Sequence, residues 1–411
     1  MRTIFIITGM LACLCPWNAM ATTLQEAMHM AVEKHPLLRM SEQSLDAARA
    51  DLSEKSAYAY NPELMLKGQR RRLKNGGGTN DYYVFLLQGI ELGGKQSYRQ
   101  QAAQANVDAA GQNYKAMRFR LQTGAASAFV ELYYARQRLQ LRQQQRLILH
   151  QVSQAVKRQL AAGQSSQLDA NLASSAYTTA VNAVVIAQQA LTQAHMRYAA
   201  ALGLARFKQP ADLVLPRLSS DWQAPEHAYE MALKSRPDLA SMRAQLTEST
   251  AQTELAGAQR IPDITIRAMT GREAGDQLFR LGFMIPIPVL NSHTGAYRAA
   301  LARTERTKTG LAWSERQLRL AVNAAQTNLH NAMQAVADMT DADKAARNTQ
   351  SLARQAYEAG ELDLEGLVVH INQSLNAHLT VLNTMQQAWL AHIRLAEVLG
   401  HPEYILKGIQ P

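Results

Sequence analysis

Along two long stretches of the chain, apolar positions recur at alternating steps of four and three. Leu121, Ala125, Ala128, Leu132, Ala135 and Leu139 form one stripe. Leu318, Val322, Ala325, Leu329, Ala332 and Val336 form the other, each 197 positions after its counterpart. A mean step of 3.5 residues is the coiled-coil period, and small Ala at alternate positions lets helices approach closely. One such stripe suits any helical bundle; two locked at a single offset imply a duplicated unit. The punctuation repeats as well. Ala31, Pro36 and Leu38 return as Ala232, Pro237 and Leu239, 201 positions later, and Pro62 and Leu64 return as Pro262 and Ile264, 200 later. Gly163 matches Gly360, and Leu202-Gly203 matches Leu399-Gly400, at 197. The falling offset puts about three extra residues in the first copy between Pro62 and Ile90, where Gly76, Gly77 and Gly78 read as a loop.

Each copy therefore reads as short helix, helix, hairpin, very long helix, turn, long helix. The very long helices are expected over about 98–162 and 295–359, and their partners over about 167–201 and 364–399. At 1.5 Å per residue the former span on the order of 100 Å, which no globular core requires. The short pairs fall at about 24–33 with 37–60 and 226–235 with 239–260, broken at His35-Pro36 and Arg236-Pro237.

Between the helices the period changes to two. Phe279, Leu281, Phe283, Ile285 and Ile287 alternate with Arg280, Gly282, Met284 and Pro286; in the first copy Tyr82, Val84, Leu86 and Ile90 hold the same face. Leu64 and Leu66 precede one set, Ile264 and Ile266 the other. Strands of about 10 residues match a tilted crossing of an outer membrane, with Tyr82, Tyr83 and Phe279 placed for an interfacial girdle. Two hairpins supply four strands, too few to close, and lipid tolerates no open edge. Three copies would give twelve. The expected fold is thus mainly α with a small β part: a long antiparallel α-helical coiled-coil barrel plus four transmembrane strands per chain, closing a 12-stranded β-barrel as a trimer.

Composition sharpens this picture. Aromatic residues are 6% of the 411, and the net charge is +10, spread along the chain rather than clustered as nucleic-acid binding would need. Arg2, the apolar run Ile4 to Leu14 and Ala19-Met20-Ala21 read as a secretory signal over 1–21, with the mature chain starting at Thr22. Cys13 and Cys15, the only cysteines, lie inside it, so the mature chain carries no thiol chemistry; Leu11-Ala12-Cys13 faintly suggests an acylated Cys13 as the rival. After the signal no apolar run is long enough for a transmembrane helix, so any span must be made of strands.

The layout, from Thr23 to about His401, resembles the TolC-like outer-membrane efflux factors. Two hairpin-to-helix strings resemble the heavy-metal, cobalt–zinc–cadmium (CzcC-type) group: Ile90-Glu91-Leu92-Gly93-Gly94-Lys95, and Ile285-Pro286-Ile287-Pro288-Val289-Leu290-Asn291 followed by Gly295. There, Gly93-Gly94 supply free dihedrals, and Pro286 and Pro288 stop strand pairing. The resemblance implies a homotrimer in the outer membrane of a Gram-negative bacterium with a long periplasmic portion. Its partners would be a periplasmic membrane-fusion adaptor, an inner-membrane RND-type transporter and outer-membrane lipid. The turns between long helices would form the gate and adaptor-docking tip: Gly163, Gln164, Ser165 and Ser166, and Gly360, Glu361, Asp363 and Glu365. With Glu358 the second tip is acidic, reading either as a solvated turn or, in three copies, as an anionic constriction; relatives' aspartates six and nine residues after the glycine are here Gly366 and Val369. The lipid-facing strand residues would be Tyr82, Val84, Leu86, Ile90, Phe279, Leu281, Phe283 and Ile285.

The expected domains are a signal peptide over 1–21, a first repeat over 22–215 (hairpin about 62–92, long helix pair about 98–203) and a second over 216–411 (hairpin about 262–288, pair about 295–400). No catalytic, cofactor or metal set is expected. Gly93-Gly94-Lys95 continues with Gln96 rather than Ser or Thr, and Met28-His29-Met30 reads as packing. The run Arg70-Arg71-Arg72 with Lys74 sits beside the outer loop, where it would either meet lipopolysaccharide phosphates or simply be solvated. The implied function is a passive exit duct of a tripartite pump for divalent heavy-metal cations, not an enzyme. The alternatives are drug efflux or type I protein secretion through the same fold, or a pore-less periplasmic coiled-coil scaffold.

Overall fold

The computed structural model describes residues 23–72, 74, 76–205, 212–219, 225–407 and 409–410; the signal-peptide reading lies outside them. The chain is mainly helical with a small antiparallel sheet. In order come α1 (Leu24–Glu33), α2 (Pro36–Ser56), β1 (Glu63–Arg72), β2 (Gly78–Ile90), α3 (Lys95–Ala161), α4 (Gln167–Ala201) and β3 (Arg217–Leu218). Then follow α5 (Ala228–Ser235), α6 (Pro237–Ala258), β4 (Ile264–Glu273), β5 (Asp276–Met284), α7 (Thr294–Glu358), α8 (Leu364–Leu399), a 3₁₀ turn (Pro402–Leu406) and β6 (Ile409–Gln410). The 67 residues of α3 and 65 of α7 make rods of about 100 Å.

Local chemistry sets the helix bounds. Thr23 caps α1 reciprocally with Glu26, and the His35 ring accepts the Leu37 N–H so that α2 starts on Pro36. α2 stops at Ser56, short of the expected residue 60, because Gln96 Nε2 reaches the carbonyls of Lys55, Ser56 and Ala57. The four long-helix ends share one device. Gly163, Gly203, Gly360 and Gly400 take left-handed φ, and the next N–H returns to a carbonyl five residues earlier.

The coiled-coil stripe is core. Leu121, Ala125, Ala128, Leu132 and Ala135 are buried, as are Leu318, Val322, Ala325 and Leu329. The largest cluster joins α1, α3, α4 and α8 through Phe129, Leu132, Tyr198, Trp389 and Ile393, with Phe129 and Tyr198 edge to face at 5.9 Å. Met28 belongs to this cluster and Met30 packs on it. The linker between repeats is strapped here too, since β3 pairs with β6 and Thr23 bridges Val214. Two-residue strands carry no periodic signal, and the sequence reading has no counterpart for them.

The packing leaves a systematic gap. α2 packs on α3, and its repeat counterpart α6 packs on α7. α3 also receives α6 and α8, but among the described residues no packing of that extent brings α2 or α4 onto α7. The sheet order is β1-β2-β4-β5, so β2 pairs with β4 while β5 and β1 remain open edges.

Candidate functional site: strand faces, junction and helix tips

The ladder registers sort the sheet into two faces. Leu64 pairs with Leu86, Leu66 with Val84 and Gly68 with Tyr82; Ile90 meets Ile264, and Leu86 meets Ala268. Ile266, Ala268 and Thr270 meet Phe283, Leu281 and Phe279. Cross-strand partners point the same way, so these residues share one face. That face is bare: Tyr82, Val84, Leu86, Phe279, Leu281 and Phe283 are all exposed, Phe283 at 80%. Ile90 is half-buried at the end of β2. Ile285 is exposed one residue beyond β5, where Pro286 and Pro288 provide no N–H for a ladder.

The opposite face is mixed, with Tyr83, Leu87 and Met269 buried on it, and it holds the ionised groups: one ion network crosses all four strands. Arg71 on β1 reaches Asp81 on β2 at 3.4 Å and Glu273 on β4 at 2.6 Å; Arg280 on β5 approaches Glu273 at 3.5 Å. Asp81 is fully buried, accepting from Gln69 and from the Ala274 N–H. Ala274 and Gly275 both take positive φ, the geometry of a two-residue hairpin turn that follows strand twist. Gly271 leaves room for the Tyr83 ring, since a Cβ there would lie 2.9 Å from it. Tyr83, expected beside Tyr82 and Phe279 in an interfacial girdle, instead lies buried on this opposite face, because adjacent strand residues point to opposite sides; alternation gave no sign of which charged residues would join.

Below the sheet, a junction ties the hairpins to the helices. Lys95 Nζ, nearly buried at the start of α3, donates to Asp263 Oδ1 at 2.6 Å and to the Ile261 carbonyl at 2.7 Å. Tyr60 donates to the other Asp263 oxygen at 2.7 Å, and the Leu92 N–H to the first. The bond to Asp263 pushes the Tyr60 phenol up to about 12, with burial adding to it. Arg99 grips Glu91 through two 2.8 Å bonds. Gly93 and Gly94, at φ near +75°, turn the chain, and a Cβ on Gly93 would lie 2.8 Å from Ile261. Sequence reasoning took Gly93-Gly94-Lys95 as turn chemistry and had no signal for Lys95 meeting Asp263. The corresponding stretch after β5 is bare, with Ile285, Ile287, Val289 and Leu290 exposed.

At the far end lie the two turns. Gly163, Gln164 and Ser166 are exposed and Ser165 is half-buried. Ser166 and Asp169 form a capping box that starts α4. Bonds from the Ser166 hydroxyl, then its N–H, hold the Asp169 carboxyl below its usual range against the opposing effect of burial. Gly360, Glu361, Asp363 and Glu365 are exposed in the other turn, but they are not equivalent. Asp363 caps α8 by accepting the Gly366 N–H at 2.7 Å, and Glu358 pairs with Arg354 at 2.9 Å. Glu361 and Glu365 have no ion pair among the described residues. A side chain at Gly366 would crowd Leu362, so that position is filled by packing.

Among the described residues no group of three or more His, Cys, Asp or Glu is placed to hold a metal, and no helix is long and apolar enough to cross a membrane. Comparison with known proteins agrees with the architecture. The family model for "Outer membrane efflux protein" matches residues 27–204 and 228–401. The cobalt-zinc-cadmium resistance protein CzcC of Cupriavidus metallidurans is 24% identical over 382 residues, 92% of this chain and 86% of that protein. Among solved structures, CusC superposes with a TM-score of 0.79 at 18% identity over 92% of each chain. A membrane protein from Pseudomonas aeruginosa gives 0.80 at 19%, over 92% and 93%.

Proposed function

We propose that this chain, which belongs to the outer membrane efflux protein family, is the exit duct of a tripartite pump, closing as a homotrimer with a twelve-stranded barrel in the outer membrane of a Gram-negative bacterium. The observation that carries this reading is the combination of a bare apolar strand face with open edges at β1 and β5. Lipid would cover the first, and β5 of one copy pairing with β1 of the next would remove the second.

The helices support the same closure. Thr123 and Ser241 are buried within the chain, whereas their repeat counterparts Leu320 and Met40 are large, apolar and about 60% exposed. Ala116 and Asp238 line one crevice between α3 and α6; their counterparts Trp313 and Leu37 are both exposed. Placing α2 of one copy against α7 of the next, as α6 lies against α3, covers all four. The α3–α4 and α7–α8 turns then form the periplasmic tip, which narrows to a gate. Residues Gly163 to Ser166 with Gly360, Glu361, Asp363 and Glu365 meet the adaptor there, and an RND-type inner-membrane transporter supplies the energy. Opening is a repacking of the tips on docking.

For the cargo we infer divalent heavy-metal cations. The likeness to CzcC and the two junction strings support this, and Glu361 and Glu365, without an ion pair among the described residues, give the tip negative charge suited to cations. The test is growth of a deletion strain on Co²⁺, Zn²⁺, Cd²⁺, Ni²⁺ and Cu⁺ beside hydrophobic drugs and bile salts. Metal sensitivity alone, restored by the intact gene, is expected. Sensitivity to drugs alone would sink the cargo and leave the duct.

A further inference from the structure

The four strands carry four carboxylates, Glu63, Asp81, Glu273 and Asp276, and the registers put every one on the face opposite the apolar one. Lys67, Arg71, Arg267 and Arg280 accompany them there. The remaining strand cations, Arg70, Arg72 and Arg272, fall on the apolar face. They are confined to its loop end, nearer the loops than Phe279: Arg272 lies level with Tyr82, between it and Gln277, and Arg70, opposite Asn80, and Arg72, opposite Gly78, lie beyond Tyr82. All three are exposed, and none has a carboxylate partner among the described residues; Arg272 Nε donates only to the Gly275 carbonyl. The basic triplet of the sequence is therefore split. Arg71 is neutralised inside, while Arg70 and Arg72 point outward and are joined by an arginine of the other hairpin.

This asymmetry matters where lipid begins. A charged side chain on a lipid-facing strand is costly at the midplane and cheap at the headgroup level, and guanidinium forks match phosphate oxygens. The loop end is opposite the helices, so on the barrel reading above, on which this inference rests, it lies at the outer leaflet. We propose that Arg70, Arg72 and Arg272 form a binding site for the phosphorylated headgroup of an outer-leaflet glycolipid, with Asn80 and Gln277 as neutral donors beside them. Tyr82 and Phe279 then mark the level where headgroup gives way to acyl chain.

The full-length protein in detergent tests this, with bisphosphorylated lipid A as probe and its dephosphorylated form as control, binding being counted by native mass spectrometry. The wild type is expected to prefer the phosphorylated lipid. At roughly fivefold per cation, the Arg70→Gln/Arg72→Gln/Arg272→Gln variant loses about a hundredfold in affinity. A Lys67→Gln/Arg267→Gln variant, on the other face, keeps wild-type binding. Equal binding of the two lipids, or a triple variant that binds like wild type, overturns the site. Displacement by equimolar inorganic phosphate also overturns it, in favour of a free-anion site. The same spectra report the trimer: if the wild type shows none, the barrel reading falls and the site with it, whereas a trimer indifferent to lipid phosphates removes this proposal alone.

Discussion

Gly163 and Gly360 hold φ of +73° and +77° with nothing near enough to obstruct a side chain, so only backbone strain separates them from alanine. Gly163→Ala and Gly360→Ala should each cost about 1 kcal/mol, read as a lower melting temperature in far-ultraviolet circular dichroism. An unchanged melting point would mean the turns relax. His392 gives a pH-dependent case. Burial pushes its imidazole pKa down against bonds to backbone carbonyls near Ile405. The unfolded ring takes up its proton first as pH falls through about 6.5. Stability is thus full above that value and declines below it until the folded ring also titrates. His392→Gln should flatten the melting-temperature profile between pH 7 and 5; a profile as steep as wild type would assign the effect elsewhere. The glycines were legible because a helical period ended at each. His392 was one of eleven scattered histidines, and its burial depends on the 3₁₀ turn that follows α8, which no period announced.

Among elements, the long helices and hairpins were readable because burial on one side imposes periods of 3.5 and 2, and the duplication wrote each twice. What joins them was not readable. Lys95 and Asp263 lie 168 positions apart, and neither has a local pattern marking it as a junction residue. Lys95→Met strands the Asp263 charge beside Tyr60 and should destabilise by about 3 kcal/mol. Lys95→Met with Asp263→Asn should recover part of that loss, as a double-mutant cycle on thermal unfolding would measure. Strict additivity would reduce the pair to two independent contacts. The four-strand network around Asp81 is a similar case: its face was foreseeable from alternation, its partners only from the register.

For the whole molecule, the duplication is what makes assembly readable from one chain. On the trimer reading proposed above, contacts made once inside it, β2 on β4 and α6 on α3, are the pattern for those it would make with a neighbour. Trp313→Glu, exposed in the chain and opposed to Leu37 of a second copy on this reading, should shift detergent-solubilised protein from trimer toward monomer in light scattering without unfolding it. A trimer of undiminished stability would place the interface elsewhere. The junction at Lys95 and Asp263 also has a mechanical consequence. It holds one end of a rod about 100 Å long, so it acts as a fulcrum: a tilt of about 3° there sweeps the opposite end through roughly 5 Å, close to one helical pitch. Adjustments too small to break a single hydrogen bond at the base thus become displacements the size of a hydrated ion at the tip.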